Sequence, residues 1–281
     1  MNTPTAPYQT DGEPADLEYE LSALASAGDR QFATTLAKGL EILRCFTQVK
    51  PVLGNTELAE CTGLSPQTIS RFTYTLSKLG YLRVDPATGR YRLGPAVISM
   101  GYPVLAAITL RQVARPLMNE LATALRSSVS MGIRDRLSIV YVETSRSNSV
   151  WSAQMSEVGL RYPIASTAIG HALVAGSEPL AREGLLNEIK VRTPVIWRRY
   201  RERLQQAQKE FERKGFCSSY GEQHTGYSAV AVPVGRASDG ELIVLNCVVE
   251  SHMASRETIE GTFGPKLVAM AEQLRQAVQF T

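Results

Sequence analysis

At 281 residues, 44% of them hydrophobic and 20% charged, the chain has the make-up of a soluble globular protein and the length for two domains. It holds no run of ~18 uncharged apolar residues and no basic start followed by an apolar stretch, so neither a membrane span nor a secretory leader is expected. Four cysteines, Cys45, Cys61, Cys217 and Cys247, are too few for a disulfide framework and point to reduced thiols in the cytoplasm. The net charge of +3 is unevenly spread. Residues 1–33 carry six acids against one base, whereas residues 34–94 carry eight bases against four acids, a balance that suits an anionic partner.

Residues 1–30, rich in Pro, Thr, Ala and acids, read as a disordered acidic tail with a short helix in Asp16–Ala27. "TLAKGLEILRCF" then puts Leu36, Leu40, Leu43 and Phe46 on one face of a first helix. "NTELAECTGL" follows as a second, with Thr56 as its cap, Leu58 and Ala59 inward and Gly63 just past its end. In "LSPQTISRFTYTLSKLG" Ser65 is a natural N-cap and Pro66 suits the first helical position, while Ile69, Phe72, Leu76 and Leu79 recur at helical spacing. "YLRVDPATGRYRLG" supplies two short strands around a turn.

Helix, helix, tight turn, helix, hairpin is the order of a winged helix-turn-helix, here spanning residues 31–94. The opposite face of its third helix is polar, and in this motif that face enters the DNA major groove. Gln67 and Thr68 can reach base edges, and Ser70 and Arg71 can bond bases or phosphates. Arg83, Arg90 and Arg92 on the hairpin would lie against the flanking backbone or the minor groove.

Residues 95–126 read as a helical linker broken near Pro103 and again at Ile108–Thr109. Its apolar stretch "AVISMGYPVLAAI" either packs on a partner subunit or belongs to an intramolecular core. From 127 to 281 strands and helices alternate. "SVSMGIRD" and "LSIVYVETS" form a strand pair, "ASTAIGHALVAG" a small-residue helix, and "WRRYRERLQQAQKEFERKG" a long charged helix ended by Gly215. Two or three strands follow, with "ASDG" as a turn, and a last helix closes the chain. The whole is an α+β protein with a sensor-like second domain.

The run "LAECTGLSPQTISRFTYTLSKLGYLRVDPATGRYRLGPAVISMG" resembles the N-terminal half of the IclR family of bacterial transcriptional regulators. "IVYVET", "RYPIASTAIGHALVA", "RKGFCSSYGEQHTGYSAVAVPV" and "GELIVLNCVVES" follow in that family's order, so the resemblance covers residues 31–280. It implies a winged helix for double-stranded operator DNA, a GAF-like effector domain, and assembly as dimers or dimers of dimers. Three departures stand out: Gly170-His171 replaces the family's Gly-Lys, Cys247 and Val249 stand where small serines are frequent, and Pro103 interrupts the linker.

Carried onto this chain, the family's effector pocket is lined by Ala165, Ser166, Thr167 and Ala168 at the start of the small-residue helix, and by Ser219, Glu222, Ala229 and Cys247. Met131, Tyr141 and Trp151 supply walls. Free N–H groups at that helix start favour a carboxylate, so the expected ligand is a small organic acid, an aromatic one suiting the Trp and Tyr. Three other readings compete. Cys217, His224 and Cys247 could hold zinc, although no CxxC or HxxxH spacing supports them and a buried reduced cysteine is the commoner fate. A Cys217–His224 pair could act as nucleophile and base, although no nucleophile elbow, phosphate loop or carboxylate pair accompanies it. The second domain could also be structural and not sense at all. No cofactor is expected.

Overall fold

The structure, a computed structural model, describes residues 32–147, 156–221, 226–237 and 240–277. The acidic tail with its expected helix, Trp151, Glu222 and His224 lie outside the described residues. The chain divides into two compact units, residues 1–107 and 108–281.

In the first unit, α1 (Thr34–Arg44), α2 (Asn55–Thr62) and α3 (Pro66–Lys78) surround one small core. Ile42, Leu58 and Ile69 are fully buried, with Cys45, Phe46, Leu53, Leu76 and Leu82 around them. Two expectations about faces are corrected. Leu36 and Leu40 of α1 are 63% and 45% exposed, because the buried stripe runs one position on, through Glu41, Ile42 and Cys45. Leu79 is 61% exposed, since α3 has ended at Lys78 and the chain turns away at Gly80.

Helix α2 begins at Asn55, capped not by Thr56 but by Gly54, whose N–H donates to the Glu57 carboxylate at 2.7 Å. At its end Gly63 takes a φ of 66°, the left-handed conformation that glycine adopts without strain, and so releases the chain into α3. The hairpin of β1 (Leu82–Val84) and β2 (Tyr91–Leu93) follows, with Leu53 pairing to Tyr91 as a third rung. The expected linker resolves into two helices of different character. In α4 (Ala96–Ala107) the helix continues through Pro103 and no residue is buried. By contrast α5 (Leu110–Leu125) buries Leu110, Ala114, Met118, Leu121, Ala122 and Leu125 and is a core helix of the second unit.

The second unit is built on a six-stranded sheet whose neighbouring strands are all antiparallel. Its strands are β3 (Ser128–Asp135), β4 (Ser138–Arg146), β5 (Arg161–Pro163), β6 (Cys217–Tyr220), β7 (Tyr227–Arg236) and β8 (Leu242–Glu250), in the order β5-β4-β3-β8-β7-β6. One face carries α5, whose Arg111 and Arg115 grip the buried Glu143 of β4 at 3.1 and 2.8 Å. The other carries α6 (Ala168–Gly176): a Cβ added at Gly132 of β3 would sit 3.2 Å from Ile169, and one at Gly176 would strike Pro233 of β7.

Beyond α6 come α7 (Pro179–Arg192), which the sequence reading did not single out, and α8 (Pro194–Lys214). A short α9 (Arg256–Thr258) runs through a π-helical turn, Ile259–Phe263, into α10 (Gly264–Ala277), which packs on β7 and α5. This is the α+β, GAF-like architecture. No single described helix is long and apolar enough to cross a membrane.

Candidate functional site

The first candidate surface is the outer face of α3. Ser65 caps the helix, its Oγ accepting from the Thr68 N–H at 3.3 Å and lying 2.9 Å from the Thr68 hydroxyl. The cap therefore occupies Thr68, leaving Gln67, Ser70 and Arg71 exposed on the outward face. Thr73 sits on the inner side, fully buried, with its hydroxyl donating to the Ile69 carbonyl at 2.9 Å. The apolar side of α3 thus fixes the polar side's aim.

The wing separates its three arginines. Arg83 and Arg92 are directly opposite each other in the β1–β2 register, and both are exposed. Like charges in cross-strand register repel, so folding gains nothing from the pair and an anionic partner would. Arg90 is different. Its Nη2 donates to the Val52 carbonyl at 3.1 Å and pairs with the Glu57 carboxylate at 2.7 Å. Glu57, held below the usual carboxylate range by the Gly54 N–H and then by Arg90, thereby caps α2 and fastens the wing with one carboxylate. Arg90 belongs to that attachment and is corrected out of the outward cationic set.

The second candidate site lies on the α6 face of the large sheet, and strand register decides who belongs to it. Thr144, Ser130, Asn246, Ala231 and Cys217 are successive cross-strand partners and share one face. Two positions along, Ser128, Val248, Ala229 and Ser219 form the next row of that same face. A β-bulge between Met131 and Gly132 absorbs one extra residue of β4 and keeps Tyr141 on this side. Met131 and Cys247 fall in the intervening rows and point to the α5 face, so both are corrected out of the candidate site on the α6 face. The positions facing it on β8 are Asn246 and Val248, not Cys247 and Val249.

A buried polar chain crosses these rows. Asn246 Nδ2 donates to the Tyr141 hydroxyl at 2.6 Å, and Ser130 and Thr144 share a hydroxyl contact at 3.0 Å. Burial raises the Tyr141 phenol well above its usual range, with Asn246 and Ser130 opposing. Tyr162 lies beside Tyr141 with ring centroids 4.5 Å apart. Asn246 is 3% exposed, and its Oδ1 has no hydrogen-bond partner among the described residues. A buried amide oxygen left unmatched is uncommon, and a ligand donor would satisfy it.

At the start of α6, Ala165, Ser166, Thr167 and Ala168 are all buried, and Thr167 caps the helix through the Gly170 N–H at 3.1 Å. Gly170 is required by contact: a Cβ there would lie 2.2 Å from the Ile164 carbonyl oxygen. His171 is fully buried one position on, where its Nε2–H donates to the Ala165 carbonyl at 2.9 Å and so pins the loop that opens the helix. Asn246, Ser130 and Thr144 were not singled out in the sequence, where each reads as an ordinary strand residue, and His171 stood out only as a departure from the family's Gly-Lys.

The zinc reading loses its geometry, while the Cys217–His224 pair of the nucleophile reading lies in part outside the described residues. Cys217 faces α8 and contacts the Ala207 carbonyl at 3.6 Å, while Cys247 faces the other way and contacts Ser127 Oγ at 3.1 Å. One ion cannot bind thiolates on opposite faces of a sheet. Burial pushes both thiols up to about 12, so neither is a thiolate near neutral pH. Among the described residues no three potential metal ligands come together.

Family models match both units: the IclR helix-turn-helix domain over residues 35–86, and the C-terminal domain of the bacterial transcriptional regulator IclR over residues 103–276. The HTH-type transcriptional regulator TsaQ1/TsaQ2 of Comamonas testosteroni is 34% identical over 86% of this chain and 87% of its own length. Among solved structures, an IclR family transcriptional regulator from Brucella abortus superposes with a TM-score of 0.81 at 39% identity, over 93% of this chain and 98% of that one. An IclR homolog from Microbacterium hydrocarbonoxydans, complexed with 4-hydroxybenzoate, shares the fold at a TM-score of 0.64 and 20% identity, over 87% of this chain and the whole of that one.

Proposed function

The chain belongs to the IclR family of bacterial transcriptional regulators, and from that premise we propose that it reads operator DNA with α3 and the wing, as a cytoplasmic homo-oligomer, under the control of a small organic acid held on the α6 face of its sheet. The DNA half is supported by the capped helix whose polar face is held outward and by the opposed Arg83–Arg92 pair. Gln67 and Ser70 would meet base edges, Arg71 a base or phosphate, and the two wing arginines the phosphate backbone.

The sensing half rests on one observation, the unmatched Oδ1 of Asn246 on the same face as the α6 start. Helix N–H groups suit the carboxylate of an acid, and Oδ1 would accept from a hydroxyl elsewhere on it. Tyr141 and Tyr162 favour an aromatic ring, and the Microbacterium relative illustrates that this fold can hold a hydroxylated aromatic acid. Ala229 and Ser219 complete the wall. The acid can move the regulator only by binding its two DNA-affinity states unequally, and a coupling of ~1–3 kcal/mol is the usual scale.

Assembly is supported by α4, on which Ile98, Met100, Tyr102 and Val104 are 75, 52, 65 and 54% exposed, together with Leu36 and Leu40 of α1. Surfaces this apolar are generally covered by a partner. Two substitutions, Ile98→Glu and Val104→Glu, are expected to reduce the oligomer to monomer in light scattering; an unchanged mass would exclude this face.

The decisive experiment is a gel shift on the DNA upstream of the chain's own gene, with and without a panel of hydroxylated aromatic and keto acids. A specific shift altered by one acid establishes both halves. A shift that no acid alters leaves the DNA half and removes the sensing one.

A further inference from the structure

The long charged helix α8 does more than cover the sheet. Together with the edge strand β6 and the short α9 it forms an open concavity of about 450 Å³, lined by Arg203, Lys209, Arg213, Lys214, Tyr220 and Arg256 around Glu210. Three of the five cations are explained by folding. Arg203 and Lys214 hold Glu210 at 2.7 and 3.2 Å, and Lys214 and Arg256 each hold Glu260 at 3.1 Å. Tyr220 joins them, its hydroxyl donating to Glu260 at 2.7 Å and its ring lying 4.6 Å under the Arg256 guanidinium.

Lys209 and Arg213 are left over. Both are exposed at the concavity and make no ion pair among the described residues. They stand four positions apart on one helix, where like charges repel. Among the described residues, Lys209 and Arg213 add two positive charges to a wall whose other cations are paired, and no described ion pair offsets them. A dianion would, and guanidinium and ammonium groups are the usual partners of phosphate. The volume lies within the range of small-ligand sites.

We propose that this concavity is a second ligand site, separate from the α6 face, that takes a small phosphate monoester between Lys209 and Arg213. Arg256 and the Tyr220 ring flank the rest of the ligand, and the Glu210 and Glu260 network holds the wall rigid.

The test is calorimetric titration of the full-length protein with inorganic phosphate and with AMP, at ionic strength held constant with chloride, beside the double variant Lys209→Gln/Arg213→Gln. Both substitutions sit on an exposed helix face and leave the Glu210 and Glu260 pairs untouched. Binding of phosphate or AMP that weakens about tenfold or more in the variant supports the site. No binding above the chloride background, or binding equal in both proteins, overturns it. A third titrant, a random-sequence duplex, guards the assignment: if it alone binds and depends on the two residues, the concavity grips a nucleic-acid backbone and the small-ligand reading falls. The variant's operator shift and its response to organic acids should be unchanged, so the outcome is independent of the α6-face site.

Discussion

In the winged helix every candidate contact stands in water: Gln67, Ser70, Arg71, Arg83 and Arg92 are exposed. On the α6 face nearly every candidate contact is buried, with Ser130, Tyr141 and Asn246 at 0, 1 and 3% exposure. The difference reflects the partners. A duplex brings its own large charged surface and needs side chains that reach out to it, so the protein must hold only the base of each side chain. A small acid of the kind proposed would bring a few polar atoms and would have to be surrounded, so the protein would need to place every donor and acceptor in advance, the Asn246 Oδ1 among them.

Substitutions can break this contrast. The largest effect is expected at Arg71→Ala, which should weaken operator binding by ~1–3 kcal/mol with oligomerisation intact; normal affinity in fluorescence anisotropy would remove α3's outer face from the interface. Asn246→Leu should do the reverse, keeping operator affinity while removing the response to the acid. Losing the amide also takes from the buried Tyr141 hydroxyl the donor that Asn246 Nδ2 supplies, so a destabilisation of about 1–3 kcal/mol is expected beside the lost response. A variant that melts far earlier but still responds would make Asn246 structural.

The wing sharpens the comparison further. Arg83→Ala and Arg92→Ala should each lower the slope of log affinity against log salt by about one, as expected for a lost phosphate contact. Arg90→Ala should lower the wing's thermal stability through Glu57 instead; a salt slope reduced as much as for Arg83→Ala would return Arg90 to the DNA surface. The smallest effect concerns Glu260, whose carboxyl is held at about 2, against an ordinary 4.5, by the Tyr220 hydroxyl and then by Lys214 and Arg256. Its folded value is depressed, so its stabilisation is complete above pH 4.5 and is lost as the pH falls toward 2. Across that window the melting temperature of Glu260→Gln should fall less steeply than that of the unaltered chain, and parallel curves would refute the linkage.

How much could be read beforehand follows the same division. The winged helix was legible because its signals are local: Ser65-Pro66 opens α3, Gly63 ends α2, and three helices and a hairpin follow within sixty residues. What failed there was the phase of α1, because Glu41 takes a buried place beside Ile42, and the fate of Arg90, whose partner lies 33 positions away. The candidate site on the α6 face was legible only in part. Ala165 to Ala168 were reached through the family resemblance, and all four are buried at the α6 start. Asn246 meets Tyr141 across 105 positions, through strand neighbours that no local pattern reveals. Alternation along β3 and β8 gave no clue to which face was which, so Met131 and Cys247 seemed as good as Ser130 and Asn246.

The opposed wing arginines have a consequence for how the regulator would sense its ionic surroundings. In the free protein Arg83 and Arg92 repel across the hairpin, and a phosphate laid between them would relieve that repulsion. Added salt screens the repulsion beforehand and removes the relief, while it also diminishes the counterion release that drives association. Salt would thus act on this wing twice and in the same direction, so the proposed grip on DNA would loosen with ionic strength more steeply than counterion release alone requires.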